Sequence, residues 1–426
     1  MSPTPKNEVS ETSAEVALKY KEIVKANGIN DEVSEVIVKT SGLLGEGFAS
    51  QTNYVTINFQ NPDIKPLHLF VKTHTSNSSH SELLTESKLF EKESIFFMKY
   101  VPAAIEFCKT KGCEGLVDMY PKCYYGDDDM IVFENLVVGK GYMLFDKQEQ
   151  QDLDATRIAI KSLAKHHAIS HAFIQEMGGP EPFFQRFPNL KFEVYNQPTA
   201  RKFMAPVIDN AIRTNVKILQ NANAASDKDE IINFLNSYDG KAYDEILNVI
   251  KDSAKEDKFL CLGHGDFWNN NMMFLKDEKT NEFIGHMVID LQVTRYNSPG
   301  LDLGQYLFTS VKPEVRKTHW DEILRHYFDT LKNTAAKLGH PIELTYQELQ
   351  KTFRRTMKPG FLFGMFNTTG AGLAAFKDID MNEIGDIKNF SVLVDQAVQK
   401  WIKVNAEKAG ESVQAILDLV KEYQTL

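Results

Sequence analysis

Apolar positions recur along this chain at two spacings, and the change from one to the other divides it. In Tyr54–Phe59 and Leu67–Lys72 they alternate, with Val55, Ile57 and Phe59 on one face of the first stretch and Leu67, Leu69 and Val71 on one face of the second. Together with Glu35–Thr40 this period of two predicts half-buried strands. Met130–Leu136 is a short apolar run that comes after an evident turn at Cys123–Asp129, and it reads as a last strand. Elsewhere the spacing is three to four residues. Glu15–Ala26 carries Val16, Leu18, Ile23 and Val24 at helical intervals and is expected to pack on the edge of the strands after it. Leu83–Tyr100 predicts a helix that buries Leu84, Phe90, Phe96 and Phe97, and Leu153–Glu176 one with a stripe of Ile160, Leu163, Ala164, His167 and Ala168. Residues 178–258 mix aromatics with helical stretches and polar breaks, and Thr318–Leu338, Tyr346–Phe353 and Ile387–Tyr423 read as largely helical. Residues 1–13 are polar and aperiodic, which predicts a disordered tail.

The candidate chemistry is concentrated in residues 261–292. A His264-Gly265-Asp266 turn is followed by Asn271, five residues after the aspartate. Met272–Leu275 and Phe283–Ile289, separated by the turn-forming residues 277–281, predict a hairpin that returns Asp290 close to Asn271. A phosphoryl-transfer site needs this arrangement: Asp266 to accept a hydrogen bond from a substrate hydroxyl, Asn271 and Asp290 to offer hard oxygen ligands to magnesium. Upstream, Gly42, Gly45 and Gly47 fall between the first two strands, in a segment ending at Ser50, where the backbone can approach a phosphate and turn its N–H groups towards it. A glycine-rich hairpin without a ligand is the plainer reading. Lys72 ends a strand whose neighbours are apolar, and its charge calls for a partner such as the ATP phosphates. In isolation, a strand-end lysine in water is commoner.

Length and charge narrow the classes. At 426 residues the chain exceeds the usual single core, so two lobes are expected. A formal net charge of −10 argues against nucleic acid as a partner, because no basic field is available to displace counterions. No apolar run approaches the roughly 20 residues that span a bilayer, and no signal peptide is read, so the expected location is the cytoplasm and no membrane partner is expected. Cys108, Cys113, Cys123 and Cys261 show no metal spacing and read as free thiols.

The order of Asp266, Asn271 and Asp290 is that of the kinase fold in general. With His-Gly-Asp in place of His-Arg-Asp, Asp290-Leu291-Gln292 in place of Asp-Phe-Gly, Trp268-Asn269-Asn270-Asn271, and Ser298-Pro299-Gly300-Leu301-Asp302-Leu303, the chain closely resembles the insect ecdysteroid kinase-like family, which is related to choline and aminoglycoside kinases. The resemblance implies an α+β, bilobal protein-kinase-like fold: a small β-rich N-lobe over 14–135 and a large helical C-lobe over 136–426, the latter with a helical insertion at 178–258. It implies ATP and Mg2+ as cofactors, with Gly42, Gly45, Gly47, Ser50 and Lys72 at the phosphates, and Asn271 and Asp290 on the metal. Phe90-Glu91-Lys92-Glu93 resembles the family's Phe-x-x-Glu segment, which makes Glu93 the carboxylate that holds Lys72, with Glu86 and Glu91 as rivals. Backbone around Glu134 and Leu136 is implied to bind the adenine edge, although Asn135 departs from the usual aspartate. Asp302 is implied to cap its helix and orient the catalytic loop, and His167 to be a packed structural histidine. Phe361–Phe366 either lines the acceptor pocket or is plain core. The implied function is phosphorylation of a hydroxyl on an ecdysteroid or a related hydroxylated metabolite or xenobiotic by a monomeric small-molecule kinase. Two rivals are a choline- or aminoglycoside-type kinase and an inactive steroid- or metabolite-binding protein.

Overall fold

The computed structural model describes residues 13–40, 50–74, 88–145, 149–222, 227–367 and 387–426. Residues 1–12 of the expected tail, glycines 42, 45 and 47, Leu84 and Glu86 lie outside them. An α-helix (α1, Ala14–Ala26) precedes three strands, β1 (Val33–Thr40), β2 (Ser50–Phe59) and β3 (Leu67–His74). After α2 (Leu89–Ile95), one π turn (Phe96–Tyr100) and α3 (Val101–Thr110) come β4 (Cys123–Gly126) and β5 (Met130–Glu134). The five strands form one antiparallel sheet in the order β1-β2-β3-β5-β4. Alternation along β2 and β3 buries Val55, Ile57, Leu69 and Val71 on one face, where Tyr20, Ile23 and Val24 of α1 complete the core. Lys72, opposite Ile131 in the ladder, points to the other face.

Four expectations are corrected here. Helix α1 lies across the sheet instead of along its edge: its apolar stripe shares a core with strands from both sides, and Asn27 Nδ2 donates to the Tyr124 carbonyl in β4 at 2.8 Å. Cys123–Gly126 is an edge strand, and only the residues after it turn, where the Asp127 carboxylate accepts N–H bonds from Asp129 and Met130. The last strand stops at Glu134, and Leu136 opens a short helix (α4, Leu136–Lys140), capped by the Asn135 side chain through the N–H groups of Val137 and Val138. An aspartate would serve that cap equally well, so the departure at Asn135 leaves the backbone path unchanged. The helix expected to end at Tyr100 runs on to Thr110 through the π turn, because Pro102 brings no N–H to the carbonyl four residues earlier.

The rest is helical around a second, larger core. Its spine is α5 (Leu153–Glu176), followed by α6 (Pro180–Arg186), α7 (Pro198–Gln220), α8 (Lys228–Asn236) and α9 (Ala242–Glu256). Two small ladders interrupt the helices: β6 (Cys261–Gly263) with β9 (Arg295–Asn297), and the hairpin of β7 (Met272–Lys276) with β8 (Phe283–Val288). Then come α10 (Pro299–Ser310), α11 (Pro313–Lys337), α12 (Tyr346–Thr356), α13 (Lys358–Asn367), α14 (Ile387–Val404) and α15 (Ala406–Thr425). Helices α10 and α13 cross backbone to backbone, since a Cβ on Gly360 would lie 2.1 Å from the Gly304 carbonyl carbon. A small antiparallel sheet beside a large helical lobe is the bilobal α+β kinase-like architecture expected from the sequence.

Candidate active site

The hairpin does what its sequence predicts. Met272 pairs with Val288, and the Ile289 N–H donates to the Asn271 carbonyl at 3.1 Å, which brings Asp290 beside Asn271. Asp290 itself has φ +65°, a left-handed conformation that a non-glycine residue holds only where its surroundings enforce it. The turn before the hairpin is equally constrained. Gly265 has φ +85°, and a Cβ there would sit 2.0 Å from the Val293 carbonyl oxygen, so no other residue fits.

Two clusters meet in the crevice between sheet and helices. Lys72 Nζ lies 2.9 and 3.0 Å from the Glu93 carboxylate oxygens and 2.9 Å from Asp290 Oδ1. Of the rivals for Lys72, Glu91 instead bonds Asn189. Asp266 holds three N–H donors: Gln305 Nε2 on Oδ1 at 2.5 Å, Asn271 Nδ2 on Oδ2 at 2.8 Å and Trp268 Nε1 on Oδ2 at 3.2 Å. With two donors on Oδ2 and one on Oδ1, Oδ1 keeps a lone pair that these donors do not use.

The charges are out of balance. Glu93, Asp266 and Asp290 stand against one ammonium, Lys72. Burial and then the neighbouring Asp290 charge push the Asp266 carboxyl up to about 6, against the lowering effect of Gln305, Asn271 and Trp268. Burial alone would pull Lys72 down, yet the Asp290 and Glu93 carboxylates outweigh it and hold the ammonium above its ordinary range. Burial pushes Glu93 up to about 7, partly offset by Lys72, because Asp290 competes for the same ammonium. The excess negative charge is what a divalent cation neutralises, and the donor set fits one. Asn271 spends its amide nitrogen on the Asp266 carboxylate and carbonyl, so its amide oxygen faces away from them. With the Asp290 carboxylate it presents two oxygens of the kind that bind a hard cation such as magnesium. Among the described residues no group of three or more His, Cys, Asp or Glu is placed to hold a metal.

Asp302 differs from its expected role. Ser298 caps α10, and the Asp302 carboxylate accepts from the backbone N–H groups of His264 (2.7 Å) and Gly265 (2.9 Å) and from His167 Nε2 (2.9 Å). It therefore holds the His264-Gly265-Asp266 loop, as expected, without capping the helix. Burial would raise its carboxyl, but the His167 and Gly265 donors hold it well below the ordinary carboxylate range. His167 is fully buried between Asp302 and the Tyr327 hydroxyl, a structural histidine. Phe361 belongs to the core, stacked on Tyr423 at 4.1 Å, while Phe363 reaches Tyr195. Glu134 is bound through its side chain to the Lys122 N–H and to Lys140, at the start of the crossing between lobes.

Sequence reasoning gave no role to Gln305 or Trp268 and missed a buried polar junction beneath the loop. Gln305 lies one helical turn after Asp302, so the face that meets the catalytic loop was a signal that could have found it. At the junction Arg295 is buried, stacked over Tyr195 at 4.8 Å, with Glu193 Oε2 3.4 Å from its Nε. Its neighbour there, Lys92, is fully buried.

A curated relative, the uncharacterized oxidoreductase dhs-27 of Caenorhabditis elegans, is 23% identical over 338 residues, 75% of this chain. The chain spans only 38% of that relative's length. Among solved structures, an aminoglycoside phosphotransferase from Alicyclobacillus acidocaldarius covers 88% of this chain and 91% of its own at 11% identity, with a TM-score of 0.35. The GDP complex of an aminoglycoside 2'-phosphotransferase (12% identity, 93% and 99% covered) and a microcompartment-associated aminopropanol kinase (12%, 92% and 98%) each have a TM-score of 0.37. Scores this low carry no argument on their own. The model of the ecdysteroid kinase-like family matches residues 44–340, a span that holds Lys72, Glu93, the catalytic loop and Asp302, and the chain belongs to that family.

Proposed function

We propose that this protein is a magnesium-dependent ATP phosphotransferase that phosphorylates a hydroxyl of an ecdysteroid or a related hydroxylated metabolite or xenobiotic. Family membership supports a small-molecule phosphotransferase. The observation that carries the finer reading is the convergence of Lys72, Glu93, Asp290, Asn271 and Asp266 in one crevice. In this reading the lobes divide at Asn135 and Leu136, where backbone takes the adenine edge. The glycine segment 42–47 and Ser50 cover the phosphates, and Lys72, held by Glu93, pairs with them. Asn271 and Asp290 hold magnesium, which would neutralise charge on the phosphate oxygens. Asp266 orients the acceptor hydroxyl. The acceptor oxygen forms its bond to the γ-phosphorus as the bridging bond to ADP breaks, and Asp266 Oδ1 takes the hydroxyl proton late in transfer.

A cationic acceptor of the choline or aminoglycoside type finds less support. The Tyr195 ring, close enough to Asp266 to feel its charge, is already covered by the Arg295 guanidinium. A neutral acceptor needs no such aromatic cage. We further take the protein to act as a cytosolic monomer. Among the described residues no helix is long and apolar enough to cross a membrane. The test is magnesium-dependent ADP release from ATP across ecdysteroids, hydroxylated plant phenolics, choline and aminoglycosides, with Asp266→Ala as the blank. Turnover confined to the first two groups is expected. Turnover on choline alone, or none with ATP unbound, overturns the reading.

A further inference from the structure

Glu93 and Lys92 are consecutive on α2, about 100° apart around the helix, so they point to different parts of the molecule. Glu93 meets Lys72 on the sheet. Lys92 turns the other way, is fully buried, and donates to the Phe192 carbonyl at 2.6 Å and the Thr294 carbonyl at 2.5 Å. Thr294 lies four residues after Asp290, and Phe192 is in the stretch that opens the helical insertion. A lysine with no exposed surface is tolerated only when its N–H groups are taken, and here backbone carbonyls of two distant segments take them. Apolar contacts surround the junction: Leu89 of α2, Val194 and Ala200 of the insertion, and Phe192 and Val293 form a small core of their own. One residue earlier on the helix, Glu91 accepts from Asn189 Nδ2 in the same insertion.

We propose that Lys92 is a positioning residue that fastens the helix carrying Glu93 to the segment just after Asp290, so that the Lys72–Glu93 pair and the magnesium-binding aspartate are held as one permanently assembled unit. This rests on the kinase reading above. Residues 187–200 of the insertion thereby brace the nucleotide site. A helix tied on both sides does not swing away from Lys72, and Glu93 needs no separate signal to engage. Burial pushes the Lys92 ammonium down to about 7, with Glu193 opposing and Arg295 reinforcing that fall, which reflects how much the fold yields to keep a lysine at this junction.

The test uses the full chain with MgADP as the probe, in four forms: wild type, Lys92→Met, Glu93→Gln and the double variant. If Lys92 acts through Glu93, Lys92→Met weakens MgADP binding about tenfold in the wild-type background and less than about threefold once Glu93 is gone. Amide hydrogen exchange rises together in 89–95 and 291–297. Equal weakening in both backgrounds, or faster exchange confined to 187–200, overturns the proposal and leaves Lys92 a local packing residue. Should wild type bind no MgADP, the kinase reading fails, and the exchange experiment still decides the fastening. If Lys92→Met does not fold, Asn189→Ala loosens the same junction without orphaning a buried charge. Faster exchange in both 89–95 and 291–297 is then expected, and a change limited to 188–192 refutes it.

Discussion

Replacing Asp302 with asparagine tests how the catalytic loop is held. The carboxylate accepts three N–H donors: His264 and His167 on Oδ2, Gly265 on Oδ1. An amide group must present its NH2 to one of those two sets, so at least one buried donor faces another donor. Bonds to a charged acceptor contribute about 1.5–3 kcal/mol and neutral ones about 0.5–1.5, while an orphaned buried donor costs about 1–3, for a total near 3–5 kcal/mol. At about 2.1 cal/mol/K per residue, the unfolding entropy of a 426-residue chain is about 0.9 kcal/mol/K, so Tm should fall by about 3–6 °C. The same change frees the His264-Gly265-Asp266 turn, and turnover should drop on the order of 100-fold while MgADP affinity changes little. Calorimetry and steady-state ADP release measure the two quantities. A Tm within about 1 °C of wild type together with unchanged turnover would refute the role given to Asp302.

Three other outcomes are expected. Gln305→Leu removes an N–H that stabilises the ionised Asp266. Activity should fall as pH drops through about 6 in wild type, and the variant's acid limb in kcat/KM should move to higher pH; an unmoved limb removes Gln305 from the site. His286 is buried with both ring nitrogens unpartnered, and burial pushes it down to about 3. Between about pH 3 and 6.5 the unfolded chain therefore binds a proton that the folded chain refuses, and stability falls as pH is lowered, by about 2 kcal/mol at pH 5 from this group. Denaturant titrations at pH 7 and 5 should show a smaller loss in His286→Phe, and an equal loss assigns the effect to other groups. Gly265→Ala should lower turnover by about 100-fold or more or prevent folding, because its Cβ would overlap the Val293 carbonyl; a soluble, active variant contradicts the strained turn.

The parts of the site legible in the sequence were those that local rules determine. The hairpin's apolar alternation predicts the approach of Asp290 to Asn271, and the β3 alternation puts Lys72 on the face opposite Leu69 and Val71. Strand β4 was hidden because an edge strand of Cys123, Tyr124, Tyr125 and Gly126, half-buried throughout and followed by three aspartates, has neither alternation nor an apolar run. The junction of Lys92 with Phe192 and Thr294 was hidden for another reason. Its partners are backbone carbonyls 100 and 202 residues away, which leave no trace in side-chain pattern. Asp302 shows the intermediate case: its position in a helix's first turn suggested a cap, but Ser298 already provided one, and the carboxylate was left to bind the loop.

The most direct test of the central claim tracks the γ-phosphate itself. Wild-type protein with ATP labelled at that position, magnesium and ecdysone should yield labelled steroid. Asp266→Asn should lose that transfer by about 100- to 10,000-fold while its MgATP affinity stays within about threefold. Labelled steroid formed by Asp266→Asn at near the wild-type rate, or a loss of activity that tracks a loss of nucleotide binding, would contradict the assignment of Asp266 as the group that receives the acceptor's proton.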